Sequence, residues 1–302
     1  MKKVNQIVFF VLLFICSFPL ISQNLKPYTV GAITSGSMDQ VADKVENQLR
    51  VHGFTVLGSY RPVEEDARWV IVYTSNEIQD AVKSVGGLTG FALAWRVAIT
   101  DENDQKVISF TTPDYWGNAY FRDDFPAVAS LYSAYSEKIN AAMAACGSGG
   151  GEQFGSKDGH DVDKLRKYRY MATMPKFHKT KKLNDFATYE EAVKAIDANF
   201  EKGITNLEKV YSVEMKDQKL KLYGVGLRGE KGEANFMYKI DISEPRHTAF
   251  LPYEMLVVDN EVHMLHGRYR IALSFPDLKL GQFMKIVSTP PNIKKLMETA
   301  TQ

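Results

Sequence analysis

The chain has 302 residues, 45% of them hydrophobic and 12% aromatic, with 37 basic and 36 acidic side chains. That length accommodates two ordinary domains and that apolar content fills their cores, which excludes a largely disordered chain. A net charge of +1 offers no general attraction to nucleic acid or to an anionic membrane.

Residues 1–23 read as a secretory leader. Lys2 and Lys3 precede an apolar run at 7–15 that is too short to span a bilayer, and Pro19 and Ser22 follow. A lipoprotein signal needs a small residue ahead of its cysteine, whereas Ile15 precedes Cys16. Cleavage removes Lys2 and Lys3 and no acid, so the net charge of +1 becomes −1. It also leaves Cys146 as the only cysteine, which rules out an intramolecular disulfide. The expected location is the periplasm or the cell exterior, with no transmembrane segment remaining.

In chain order, residues 28–33 form a short strand candidate. Met38, Val41, Ala42, Val45 and Leu49 then make one apolar helical stripe, with Ser37 as its N-cap and Gly53 at its end. Residues 54–57 and 69–73 are strands, and 76–85 a short helix. Residues 91–100 and 106–111 flank the polar turn 101–104 as a hairpin. The aromatic stretch 113–121 reads as a loop after that hairpin, and 126–145 as an Ala-rich helix. Gly147-Ser148-Gly149-Gly150-Gly151 opens a flexible linker over 147–163. Beyond it, 168–174 is the expected opening strand and 189–200 a helix. Strands follow at 207–213, 219–225 and 236–242. Residues 252–258 and 262–266 form a second hairpin, which 269–273 extends. Helices at 280–287 and 292–299 are separated by Pro290-Pro291.

The two halves follow one order. Ser37-Met38-Asp39-Gln40-Val41, a helix and Gly53-Phe54 are answered by Thr188-Tyr189-Glu190-Glu191-Ala192, a helix and Gly203-Ile204. Tyr73 matches Tyr223, Gly90-Phe91 matches Ala249-Phe250, and Pro113-Asp114 matches Pro276-Asp277. The order implies an α+β fold: two tandem copies of a small sandwich, over 24–146 and 164–302, each with helices packed on a largely antiparallel sheet.

Val107-Ile108-Ser109-Phe110-Thr111-Thr112-Pro113-Asp114-Tyr115-Trp116 and Leu251-Pro252-Tyr253-Glu254-Met255-Leu256-Val257-Val258 resemble stretches of the bacterial family known as domain of unknown function 302. The helix-to-strand junctions at Gly53-Phe54 and Gly203-Ile204 fit the same family. The resemblance implies a compact α+β sandwich that pairs into dimers, and it implies no reaction. The chain departs from the family in its two copies and its leader. Ala94-Trp95 stands in one copy where Tyr253-Glu254 stands in the other.

Few residues point to chemistry. Glu261 and His263 share a strand face, but His266 points the other way, so they make a poor metal site. Asp158, His160, Asp161 and Asp163 lack the ligand order of a calcium loop. Gly224-Val225-Gly226-Leu227-Arg228-Gly229 has the glycines of a dinucleotide loop without the helix that must follow. Lys164, Arg166, Lys167, Arg169, Lys176, Lys179, Lys181 and Lys182 form a basic run without an acid, interleaved with Tyr168, Tyr170, Phe177 and His178. An edge strand accounts for it, and outside the cytoplasm its natural targets are lipid headgroups or anionic glycans. The candidate binding surface is Tyr115, Trp116 and Tyr120, which suit a flat ligand or their own sheet, with Arg122 at the end for polar contacts.

No nucleophile elbow, phosphate loop or paired zinc motif is present, and no cofactor is implied. The expected function is that of a non-catalytic ligand-binding or interaction module, with a small ligand, an envelope protein or a second copy as partner. An envelope hydrolase and a structural protein of an envelope assembly are the alternatives.

Overall fold

The computed structural model describes residues 24–302 apart from Glu65, so the expected leader and Cys16 lie outside the described residues. β1 (Tyr28–Thr34) leads to α1 (Met38–Val51), whose Val41, Ala42, Val45 and Leu49 are the buried stripe. Ser37 Oγ accepts from Gln40 N while the Gln40 side chain accepts from Ser37 N, a reciprocal cap that fixes the helix start. β2 (Thr55–Tyr60), β3 (Arg68–Thr74), α2 (Asn76–Val85) and a 3₁₀ turn at Gly87–Ala92 follow. β4 (Trp95–Glu102) and β5 (Gln105–Thr111) are a hairpin. Asn103 and Asp104 at its tip have φ of 52° and 62°, the left-handed pair that suits a two-residue turn. α3 (Pro113–Phe121), α4 (Phe125–Ala144) and β6 (Gln153–Phe154) complete a six-stranded sheet of order β2-β3-β4-β5-β1-β6 with its helices.

The second half contains α5 (Val162–Arg166), β7 (Lys181–Asp185), α6 (Tyr189–Lys202), β8 (Leu207–Met215), β9 (Leu220–Leu227) and α7 (Glu233–Ile240). A 3₁₀ turn at Thr248–Phe250 leads to the hairpin of β10 (Tyr253–Val258) and β11 (Glu261–Met264). α8 (Gly267–Ser274), α9 (Leu280–Lys285) and α10 (Thr289–Glu298) end the chain. Its sheet has the order β7-β11-β10-β9-β8. The strand pairings in both sheets are antiparallel, so the fold is α+β with two antiparallel sheets and ten α-helices among the described residues.

Several expected elements take another form. The opening strand of the second half is β7, not 168–174. The hydroxyls of Tyr168 and Tyr170 donate to Ala272 O and Leu278 O, so the aromatic–basic alternation anchors a loop rather than pairing a strand. Residues 236–242 are largely α7, because Phe236, Met237 and Ile240 bury one helical face. Residues 269–273 lie in α8, which is buried nearly all round and so carries no helical periodicity to read. Pro290 and Pro291 sit in the first turn of α10, where the missing donor costs nothing. Gly90-Phe91 and Ala249-Phe250 each lie in a 3₁₀ turn ahead of a hairpin, but Pro113 opens α3 while Pro276 follows α8.

The glycine-rich stretch runs along the free edge of β1. Ile33 and Ser148 exchange two backbone hydrogen bonds, Gly151 N donates to Val30 O, and β6 pairs with β1. A Cβ on Gly150 would stand 2.0 Å from Gly31 O, so here glycine serves close backbone approach.

The two sheets meet at their edges and faces. β2 and β8 touch at paired irregularities, between Val56 and Gly58 and between Lys209 and Tyr211. A Cβ on Gly58 would meet Val210 O at 2.2 Å. The 3₁₀ turn of each half packs on the hairpin of the other, Gly87–Ala92 on β10 and Thr248–Phe250 on β4. Buried charges join the halves. Glu254, wholly buried, pairs with Arg96, lies 3.4 Å from Arg270 Nη1 and accepts from Tyr211 OH at 2.6 Å. Arg68 pairs with buried Asp241 and donates to Thr248 Oγ1. Glu233 accepts from Tyr60 OH, Leu227 N and Val63 N. Removing one member of such a pair leaves an uncompensated buried charge, so these contacts make the halves interdependent.

Candidate functional site

The four residues that the sequence offers as a binding surface fall in two environments. Residues 113–121 are not a loop but α3, and its rings are covered. Tyr115 is wholly buried and donates to Leu273 O at 2.7 Å; Trp116 Nε1 donates to Pro27 O at 2.7 Å. Tyr120 stacks on Phe177 with ring centres 5.2 Å apart and leans on Trp95. Burial drives the Tyr115 and Tyr120 hydroxyls well above their ordinary pKa. These rings present no open face to a flat ligand. Tyr115 and Tyr120 join the halves instead, because Leu273 and Phe177 belong to the second, whereas Trp116 bonds within the first.

Arg122 differs. At the end of α3 its φ of 56° turns the chain, its Nε donates to Arg166 O at 3.0 Å, and its Nη1 reaches His178 Nδ1 at 3.3 Å. His178 is on the wall of a concavity of about 380 Å³, whose basic lining is Arg169, Lys176, His178, Lys179, His266 and Arg268. Ala172, Thr173, Met174 and Pro175 complete the lining, and no carboxylate of the described residues contributes.

Local chemistry builds this wall from two stretches far apart in sequence. The loop over 168–179 is held at its base by the Tyr168 and Tyr170 hydroxyls and by buried Phe177, whose ring lies 6.0 Å from that of Tyr269. Arg169 Nη1 donates to Ala172 O, and the backbone closes turns from Met174 N to Met171 O and from Lys179 N to Lys176 O. The opposite wall is the start of α8. His266 Nδ1 accepts from Arg268 N there and caps the helix.

Electrostatics record the crowding of positive charge. His178 titrates below its ordinary value because of desolvation and then the fields of Arg122, Lys179, Lys176 and Arg169. His266 is pushed down to about 4 by burial, with Lys181 and Arg268 adding to the effect. No ion pair within the described residues neutralises Arg169, Lys176, Lys179 or Arg268. An arrangement of this kind favours an anion with several oxygen acceptors, since lysine and arginine donate and have nothing to accept.

Other candidates are structural. His263 Nε2 is 3.0 Å from Glu261 Oε2, and Thr180 Oγ1 stands 3.1 Å from its Nδ1, while His266 is the cap described above. Among the described residues no group of three or more His, Cys, Asp or Glu side chains could hold a metal ion. Asp161 caps α5 through Lys164 N. Cys146 Sγ lies 3.4 Å from Ala142 O, and burial pushes its thiol up to about 11 against the pull of Lys44. No described helix is long and apolar enough to cross a membrane.

The basic run is visible in the sequence, but His266 and Arg268 are not linked to it there. They arrive from a helix start some ninety residues later, and no local pattern announces that meeting.

No family model matches the chain, and no curated protein does. Among solved structures it is similar to the uncharacterized conserved protein DUF302 from Bacillus stearothermophilus, with 18% identity and a TM-score of 0.34 over 38% of this chain and 94% of that one.

Proposed function

We propose that this protein is a non-catalytic binding module, exported by its leader, that takes a phosphate- or sulfate-bearing ligand in the basic concavity. The observation that carries this reading is the convergence of six basic side chains from two distant stretches on one concavity with no carboxylate among the described residues of its wall. Four of the six, Arg169, Lys176, Lys179 and Arg268, are permanent cations, and Arg122 adds a fifth behind His178.

In this reading the halves are two copies of one α+β unit, over 24–146 and 164–302, joined by 147–163. The shared strand order supports it: β2-β3-β4-β5-β1 in one sheet and β8-β9-β10-β11-β7 in the other. So does reciprocity. Tyr115 donates to Leu273 O, four residues beyond Tyr269, and Tyr269 donates to Ala119 O, four residues beyond Tyr115. The matching bulges set the register: Gly58 opposes Val72 as Tyr211 opposes Gly224, so Val72 corresponds to Gly224, and Tyr73 to Val225 rather than Tyr223. Arg96 and Glu254, which oppose Val72 and Gly224, therefore occupy the same sheet position. In a pair of identical units that position faces its own like charge. Arginine in one copy and glutamate in the other favours pairing within the chain. That pairing covers the face a single unit would use, so a homodimer of the whole chain needs another surface.

Equilibrium titration of the 24–302 chain with pyrophosphate tests the site. Saturable binding that weakens with salt and falls at least about tenfold in Lys176→Glu with Arg268→Glu is expected. A chain that does not bind, or a variant that binds like the parent, sinks the assignment.

A further inference from the structure

We propose that the basic concavity and the adjoining α7–α9 face form one membrane-docking surface that seats the protein on bilayers rich in anionic phospholipid. This rests on the anion-binding reading and names the source of the anion as a lipid headgroup.

Among the described residues seven large apolar side chains are strongly exposed. Val51 stands alone at the end of α1. The other six fall in three segments: Met171 in the basic loop; Tyr238 and Ile242 on and after α7; Leu280, Met284 and Val287 on and after α9. Exposures of 67% for Leu280, 61% for Ile242 and 58% for Met284 exceed what a fraying helix end explains, since each has a buried neighbour in its own segment.

The three segments are contiguous. Tyr170 OH donates to Leu278 O at 3.0 Å, which ties the loop carrying Arg169 and Met171 to the turn into α9. α7 packs on α9, and Ile242, Leu278 and Gln282 share the wall of a cleft of about 300 Å³.

Each segment also carries exposed cations: Arg169 and Lys179 in the loop, Lys239 on α7, Lys279 before α9 and Lys285 at its end. The wall of that cleft also carries Glu152, Asp241, Glu244 and Asp277, of which Asp241 is paired with Arg68, so the attraction to headgroups comes from the cations outside the cleft. Asp277 accepts from Ser156 Oγ and Lys157 N, and Glu244 accepts from Asn103 Nδ2. Protein interfaces are depleted in lysine, whereas a bilayer boundary accepts aliphatic side chains among the lipids while lysine stems lie along it with their heads on the phosphates. Isolated aliphatics ringed by lysines therefore fit a lipid surface better than a protein groove. The whole chain is nearly neutral, so the attraction is local to this face.

Co-sedimentation of the 24–302 chain with phosphatidylcholine vesicles, with and without phosphatidylglycerol, tests the proposal. The expected result is binding only with phosphatidylglycerol, weakened by salt. Lys176→Glu with Arg268→Glu lowers it about thirtyfold or more, and Leu280→Ser with Met284→Ser about tenfold, with pyrophosphate binding of the second variant intact. Circular dichroism confirms that both variants fold. Pyrophosphate binding without vesicle binding overturns the lipid assignment and leaves the anion site standing. Vesicle binding that ignores the Leu280/Met284 changes, or ignores phosphatidylglycerol, also overturns it. A chain that binds neither probe loses both readings.

Discussion

Glu254→Gln is the sharpest probe of how the halves hold together. Glu254 is wholly buried, and its oxygens face Arg96, Arg270 and Tyr211. Glutamine keeps the shape and an acceptor for Tyr211 but removes the charge that compensates two buried guanidiniums. Arg270 retains Phe250 O and Pro252 O at 2.6 and 2.5 Å and lies over the Phe250 and Tyr253 rings. Arg96 is left far poorer. Breaking a buried pair from one side costs about 3–5 kcal/mol, against a total stability of only about 5–15 kcal/mol. The control is Glu208→Gln, which removes a half-exposed partner of Arg228 and costs about 1 kcal/mol or less. Urea unfolding followed by tryptophan fluorescence reports the first half, which holds Trp69, Trp95 and Trp116, while circular dichroism reports both. The account predicts coincident transitions in the parent and a large fall in midpoint for Glu254→Gln. Arg96→Met combined with it is less destabilising than the sum of the two single changes. A cost below about 1 kcal/mol, additive single changes, or two separate transitions in the parent refutes the interdependence argued from these charges.

Further expectations follow from other buried groups. Glu233 has its pKa pushed up from 4.5 to about 7 by burial, so the native state binds its proton more tightly than the unfolded chain. Its contribution, about 3 kcal/mol, is complete below pH 4.5 and is lost as pH rises through 7; Glu233→Gln flattens that slope in stability measured against pH. Tyr115→Phe and Tyr269→Phe each leave a carbonyl between the halves without its donor and cost about 1–2 kcal/mol, read from urea midpoints. Cys146 stays largely a thiol at pH 8, so native alkylation is far slower than in the unfolded chain; equal rates would contradict its burial. Pyrophosphate affinity rises as pH falls below 6.5, because His178 and His266 gain charge only when an anion offsets the cations around them.

Much of the architecture is legible in the sequence because its signals are local. The α1 stripe with its Ser37 cap, the continuous apolar run of β3 and both hairpin turns are read within a dozen residues and recur in the fold. What fails is what depends on distant contacts. α8 is buried on every side, so Tyr269, Ile271 and Leu273 read as alternation although they lie in a helix. The tyrosines near 170 read as one face of a strand because only the carbonyls of Ala272 and Leu278 reveal them as anchors. Arg96 and Glu254 are ordinary charges in sequence and become the centre of the molecule only once two sheets face each other. The basic run is read correctly as charge; its end, Lys181 and Lys182, does lie on the edge strand β7, but the part around Tyr168 and Tyr170 is a loop whose concavity is completed by His266 and Arg268.

The central claim, an anion site at the concavity, is tested most directly by the histidine ring spectrum of the 24–302 chain. The sequence has six histidines, of which His178 and His266 line the site and His52 caps the far end of α1. With pyrophosphate the account predicts that the ring signals of His178 and His266 move together, that both pKa values rise, and that His52 stays where it is. Unmoved signals from His178 and His266, or a uniform drift of all six, would contradict it.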